Sequence, residues 1–212
     1  MVKTLWLSVL MASAGVAGPL SAGIRGGIPL TDFFENVNSG NFVLTSTTHR
    51  YIVGPTLELR LPAGFGVEVD ALYRRLNYNS SFSLVDVITN NRTTGNAWEF
   101  PLLVKYRLPS PLIKPYIDAG LAFDTLSGLK QTVVSTIVPN RQTTTTTSNP
   151  SELSNSTTTG FVIGFGAEIK AVVMRISPEI RYTRWGSSHF KIPNGSALSN
   201  QNQAEFLVGF TF

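Results

Sequence analysis

Apolar and polar residues exchange places with period two in eight stretches of this chain: 21–30, 51–61, 65–78, 97–107, 114–125, 160–170, 173–185 and 204–212. Successive side chains of a strand point to opposite faces, so each stretch reads as a β-strand with one apolar and one polar side. No stretch carries apolar residues at a convincing helical spacing. The links between stretches are of two kinds that take turns. Residues 62–64, 108–113 and 171–172 are short links, whereas 31–50, 79–96, 126–159 and 186–203 are long. Antiparallel strands with short turns at one end and long loops at the other form an up-and-down meander, and eight of them can close into a barrel. The long links are polar and of low complexity, most plainly at 143–147, a run of threonine. That composition predicts mobile, solvated loops that bury no core.

Which face is buried depends on the solvent. In 65–74 one face carries Phe65, Val67, Val69, Ala71 and Tyr73, and the other Gly66, Glu68, Asp70, Leu72 and Arg74. In 98–107, Trp98, Phe100, Leu102, Val104 and Tyr106 oppose Glu99, Pro101, Leu103, Lys105 and Arg107. The polar faces combine small glycines with full charges of both signs, which suits a narrow, salt-bridged lumen. The apolar faces carry aromatics near their ends: Phe65, Tyr73, Trp98, Tyr106, Phe123, Tyr182 and Phe210. Aromatic girdles of this kind mark the two interfaces of a membrane barrel. Each apolar face is close to the 9–11 tilted residues that cross a bilayer. The expected fold is therefore an all-β, eight-stranded antiparallel transmembrane barrel, closed so that every backbone group is paired. Pro55, Pro101 and Pro178 fall inside strands, where a missing N–H calls for a bulge or a place near the rim.

The parity also lists the lumen. Arg25, Arg60, Arg74, Lys105, Arg107, Lys170, Arg175 and Arg181 point inward with Glu58, Glu68, Asp70, Glu99, Asp118, Glu168, Glu179 and Glu205. Eight charges of each sign predict a near-neutral interior of interlocked ion pairs that blocks an open water channel. A narrow passive pore for small solutes is the alternative.

Met1-Val2-Lys3, an apolar stretch from Thr4 to Gly18 and small residues around it have the order of a secretory signal peptide, with cleavage after Ala14, Ala17 or Ala22. Residues 1–22 are thus expected to direct export by the Sec route, leaving 23–212 as one barrel domain. Only 14% of residues are charged, the net charge is +4 and there is no cysteine. The absence of Cys excludes a disulfide scaffold, a thiolate metal site and a Cys nucleophile. Basic residues are spread over the strands, so nucleic-acid binding has no footprint. Two histidines leave little for a metal centre. His49 follows Thr47 and Thr48, and His189 follows Ser187 and Ser188. A Ser/His pair at the rim could join nucleophile to base, but solvated loop histidines are the expected reading. No catalytic residue, cofactor or metal is expected.

Gly23-Ile24-Arg25-Gly26-Gly27-Ile28, the run Glu99 to Arg107, Pro178 to Trp185 and the final Phe210-Thr211-Phe212 resemble the small eight-stranded outer-membrane barrels of Gram-negative bacteria, the OmpA-like and OmpX-like group also called porin family proteins. The resemblance covers essentially the whole mature chain. It implies an outer-membrane location, periplasmic N- and C-termini and long loops outside the cell. It also implies lipid as a partner and insertion by the barrel-assembly machinery, which reads a terminal aromatic strand. Glu205, Phe210 and Phe212 match that signal, while Leu207 stands where glycine is usual. The chain ends at Phe212, where a peptidoglycan-binding domain would follow in a full-length OmpA-like protein. Some small barrels are lipid-modifying enzymes, but the His-x-Ser pair of the deacylases is absent. The resemblance favours a monomeric structural or surface-interaction barrel, with an extracellular ligand for its loops.

Overall fold

The computed structural model describes residues 19–34, 37–39, 42–46, 50–84, 87–137, 141–148, 150, 152–171, 173–191 and 199–212. The leader segment 1–18 and His49 lie outside them. Twelve strands are present: β1 (Leu20–Pro29), β2 (Val37–Ser39), β3 (Phe42–Ser46), β4 (Ile52–Arg60), β5 (Phe65–Asp70), β6 (Leu72–Leu84), β7 (Val87–Arg107), β8 (Ile113–Ile137), β9 (Arg141–Thr147), β10 (Thr157–Ala171), β11 (Met174–Trp185) and β12 (Asn202–Thr211). Because β5 and β6 are one strand interrupted at Ala71, eight staves close the barrel, all antiparallel. Closure is between first and last: Gly23 opposes Thr211, and the ladder runs to Pro29 opposite Glu205. β1 begins within the expected leader, since Leu20, Ser21 and Ala22 pair with Leu59, Glu58 and Leu57.

Parity holds along the staves. Ile24, Val69, Leu102, Val104, Ile117, Leu121, Phe161, Ile163, Phe165 and Ile180 are exposed on the outer wall, while Arg25, Glu68, Lys105, Asp118 and Glu179 are buried inside. This is a soluble protein's pattern inverted, as lipid outside and a filled lumen require. The girdle aromatics form two groups. Phe65 packs on Tyr106 at 4.9 Å beside the short turns, with Phe210 and Phe212 at the same end of the barrel, where β12 meets the start of β1. Toward the long loops Tyr73 packs on Trp98 at 5.2 Å and on Tyr51 at 6.4 Å, with Phe123 and Tyr182 on that half of the wall. The tight link at Pro62–Gly64 places Ala63 and Gly64 at φ 59° and 85°, left-handed values that only glycine reaches freely.

Three expectations are corrected. Residues 79–84, 87–96 and much of 126–159 are strand, not loop. β6 and β7 continue as one hairpin from Leu72 opposite Glu99 to Leu84 opposite Val87, and β9, which holds the threonine run, pairs with β8 from Gln131–Thr147 to Ile137–Arg141. Thr and Val are β-branched and prefer extended backbone; once the staves set a register, polar residues wetted on both faces can extend it. At 21 and 25 residues, β7 and β8 are far longer than a crossing needs. The strands β2-β3-β6-β7-β8-β9 thus form a sheet that continues past the barrel.

The prolines, too, need neither bulge nor rim. Pro55 opposes Ile24, Pro101 opposes Ala122 and Pro178 opposes Val208, each in register. Each leaves a two-residue gap in the ladder on its other side, and the register is the same beyond the gap. A bonded neighbour on one side holds the strand where the other side lacks a donor. The one register shift between β7 and β8 is at Thr94/Asn96.

The long links also bury a core, contrary to their composition. Phe33 and Phe34 from 31–50 and Phe190 from 186–203 pack with Leu44, Leu76, Tyr78, Ala97 and Leu126 across the long-loop mouth.

Candidate functional site: the charged lumen and its aromatic cap

The lumen is layered along its axis. Nearest the short turns, Glu58 and Glu168 are shared among three arginines. Arg107 contacts Glu58 at 2.5 Å and Glu168 at 3.0 Å, Arg60 contacts Glu168 at 2.8 Å, and Arg175 lies 3.9 Å from it. Arg60 and Arg175 both donate to the Ser21 hydroxyl.

The next layer is fully desolvated. Arg25 reaches Glu179 at 2.5 Å and Glu68 at 2.7 Å. Arg181 reaches Glu179 at 2.7 Å, Asp70 at 3.0 Å and Glu68 at 3.4 Å. Lys105 contacts Glu68 at 2.5 Å and lies over the Tyr116 ring, whose hydroxyl donates to Glu179 at 2.9 Å. Three cations thus interlock with three carboxylates contributed by β1, β5, β7 and β11. The arrangement needs glycine opposite. A Cβ at Gly164 would collide with the Asp118 carboxylate and lie 2.9 Å from Glu179 Oε1. Gly164→Ala is expected to destabilise the barrel by about 1–3 kcal/mol through overpacking, measured by urea unfolding in detergent. An unchanged midpoint would mean that the charged layer is not packed.

Above it lie Leu103, Ala122, Val162 and Trp185 on one side and Ile52, Leu72 and Leu207 on the other. Leu207 therefore fills the lumen at the position where glycine is usual. The last polar layer is centred on Arg74, which contacts Glu99 at 2.6 Å, Glu205 at 3.3 Å and Gln203 at 2.9 Å. Beside it the His189 ring lies 3.1 Å from Asp124 Oδ2 through Nε2 and 2.7 Å from the Asn155 carbonyl through Nδ1. His189 thereby ties the link 186–203 to the wall at β8 and is not a solvated loop residue. Both partners are acceptors, so both contacts are hydrogen bonds at once only when both ring nitrogens carry hydrogen. The cap closes the stack: Phe34 packs on Tyr78 at 4.5 Å and on Phe190 at 5.3 Å, and Phe33 lies over His189 at 6.0 Å.

Of the sixteen charges assigned inward by parity, Lys170 is exposed and not buried. It pairs in register with Arg175 at the short-turn rim, where the lumen meets solvent. Asp118 is inside and 2% exposed, but neither carboxylate oxygen has a hydrogen-bond partner. Asp124 is a buried carboxylate absent from the parity list, although it shares the polar face of β8 with Asp118. The described interior therefore holds seven Arg and Lys against nine Asp and Glu, with His189 against Asp124. The Ser/His pair is not assembled: the Ser188 hydroxyl donates to the Phe190 carbonyl at 2.8 Å. Among the described residues no group of three or more His, Asp or Glu could hold a metal ion.

The family model described as outer membrane protein beta-barrel domain matches residues 12–186. Among curated proteins none matches this chain. Among the solved structures similar to it are three small barrels. OprG of Pseudomonas aeruginosa is 12% identical with a TM-score of 0.46, over 91% of this chain and 92% of that one. The N-terminal β-barrel domain of Pseudomonas aeruginosa OprF is 16% identical with a TM-score of 0.36, over 92% and 98%. The attachment invasion locus protein Ail of Yersinia pestis is 10% identical with a TM-score of 0.36, over 91% and 96%. With most of the chain matched by the family model and eight antiparallel staves closed around a charged lumen, the protein belongs to the outer membrane protein beta-barrel domain family and is a barrel of the Gram-negative outer membrane.

Proposed function

We propose that this barrel serves the cell surface as a rigid, non-conducting stalk, with its termini in the periplasm and its long-loop end outside. The observation that carries the reading is the sheet that β6, β7, β8 and β9 project beyond the staves. Its edge strand β9 is paired on one side with β8, from Arg141–Ile137 to Thr147–Gln131. Over residues 141–146 the other edge of β9, with no strand paired to it among the described residues, offers backbone N–H and C=O groups to an extended segment of an extracellular partner, a recurring mode of recognition. Against the narrow-pore alternative stand the interlocked charges, the apolar layer and the aromatic cap, stacked in one lumen that eight staves keep narrow. Against a lipid-modifying enzyme stands the engagement of Ser188 and His189 in other hydrogen bonds. The barrel acts alone as a monomer, inserted by the assembly machinery through Glu205, Phe210 and Phe212.

An epitope inserted near Thr145 is expected to be reachable by antibody on intact cells, and one near Pro62 only after permeabilisation. The refolded protein in a planar bilayer is expected to pass at most small, fluctuating currents. Reversed labelling would invert the orientation, and large steady currents would put the pore reading first.

A further inference from the structure

The outer wall carries a feature that neither a stalk nor a lumen uses. Just on the long-loop side of the girdle, Arg184 points outward from β11 in the same row as two apolar side chains: it opposes Phe161 on β10, which opposes Leu121 on β8. Leu121, Phe123, Thr159, Phe161, Arg184 and Gly186 line a shallow groove of about 420 Å³ on this part of the wall, spanning that row and the next one toward the rim. Gly186 contributes no side chain where the groove meets the rim. Leu121, Phe123 and Phe161 are about half exposed, so the floor is an apolar surface open to the membrane.

Arg184 takes part in no ion pair among the described residues. It is held instead by an amide: Nη1 donates to Asn202 Oδ1 at 2.6 Å, and the Tyr182 hydroxyl donates to the same oxygen at 2.7 Å. With Asn202 Oδ1 occupied twice, the side chain is oriented and its amide nitrogen remains a donor, beside the unused Nε and Nη2 of the guanidinium. Donors without a facing carboxylate select an anion, and a guanidinium fork matches phosphate oxygens. The site combines this anion clamp with an apolar channel running from it along the wall. A free anion would use the first part only.

We propose that Arg184 and Asn202 bind the phosphate of an anionic membrane lipid whose acyl chain lies along Leu121, Phe123 and Phe161. The assignment rests on the outer wall facing lipid and is independent of whether the β9 edge has a partner. The phosphate sits at the interfacial level set by Tyr182, and the chain lies across Phe161 and Leu121, with Phe123 one row nearer the rim. Tyr182 acts as a positioning residue, because it touches Asn202 and not the lipid.

Native mass spectrometry of the folded barrel in non-ionic detergent tests this with three probes: phosphatidic acid, the diacylglycerol of the same chains, and glycerol phosphate. The expected result is retention of one phosphatidic acid, with diacylglycerol and glycerol phosphate each bound at least about tenfold more weakly, as loss of a charge-assisted contact or of the buried chain implies. Arg184→Ala is expected to lower phosphatidic acid affinity about tenfold and Phe161→Ala to weaken it as well, while Arg75→Ala, at an outward arginine elsewhere on the wall, leaves it unchanged. Heat-modifiable gel mobility confirms that each variant is folded. Equal retention by the native protein and Arg184→Ala would overturn the proposal, as would an equal loss in Arg75→Ala or binding of glycerol phosphate as tight as that of the lipid.

Discussion

Replacing Arg181 with alanine is expected to destabilise the barrel by about 3–5 kcal/mol, the cost of leaving buried carboxylates without their cation. Arg181 is fully buried and contacts Glu179, Asp70 and Glu68 at 2.7, 3.0 and 3.4 Å. Its loss leaves Arg25 and Lys105 to hold three acids, with Asp118 beside them already lacking a partner. Water cannot easily repair the deficit, because the Leu103 and Leu72 layers close the space above. Urea unfolding in lipid vesicles, followed by the fraction that migrates as folded barrel, gives the change. A double-mutant cycle with Glu179→Ala separates pairing from packing: the double variant should lose much less than the sum of the two single variants. Additive losses, or a cost below about 1 kcal/mol as at a wetted pair, would show that water fills the layer.

The same residues show how far sequence carries. Period two places Arg25, Glu68, Lys105, Glu179 and Arg181 on one face because an inside and an outside of opposite polarity leave no other pattern. At Lys170 it gives the face, opposite Arg175, but not the burial, because the residue stands at the rim where the strand ends. Asp124 was within reach of the same rule, two residues beyond Ala122 on the polar face. The cap was harder to see. Phe33, Phe34 and Phe190 are isolated among polar residues with no period to follow, and their meeting depends on long-range packing of two links far apart in the chain. Three aromatics in segments read as solvated were the available signal. The threonine run misleads in the opposite direction, since composition suggests a mobile loop while β-branching favours the strand that β8 templates. Whether the three prolines break a ladder also lay outside sequence reach, because each keeps its bonds to one neighbour and only the pairing shows which.

Sequence reading expects the interlocked ion pairs alone to block the channel. The cap changes that expectation. Phe34 and Phe190 are almost completely buried, and with Tyr78 they form a triangle of rings at 4.5, 5.3 and 5.6 Å. Deleting a buried phenylalanine costs about 3–5 kcal/mol, but here the cost falls on docking of the links 31–50 and 186–203, since the stave ladders do not pass through either ring. Phe190→Ala is therefore expected to leave global unfolding nearly unchanged while amide exchange at 187–191 accelerates by about two to four orders of magnitude, the equivalent of that energy in local opening. His189→Ala should act in the same direction, because it removes the tie between this link and Asp124. Neither change opens a path, because the Arg74, Leu103 and Arg181 layers remain below. Phe190→Ala combined with Arg181→Ala is likewise expected to pass no steady current, because the Arg74 and Leu103 layers still stand between the two ends. Steady current from Phe190→Ala by itself would mean that the charged layers conduct and that the cap is the whole barrier; exchange at 187–191 equal to that of the native protein would mean that the rings do not hold the links.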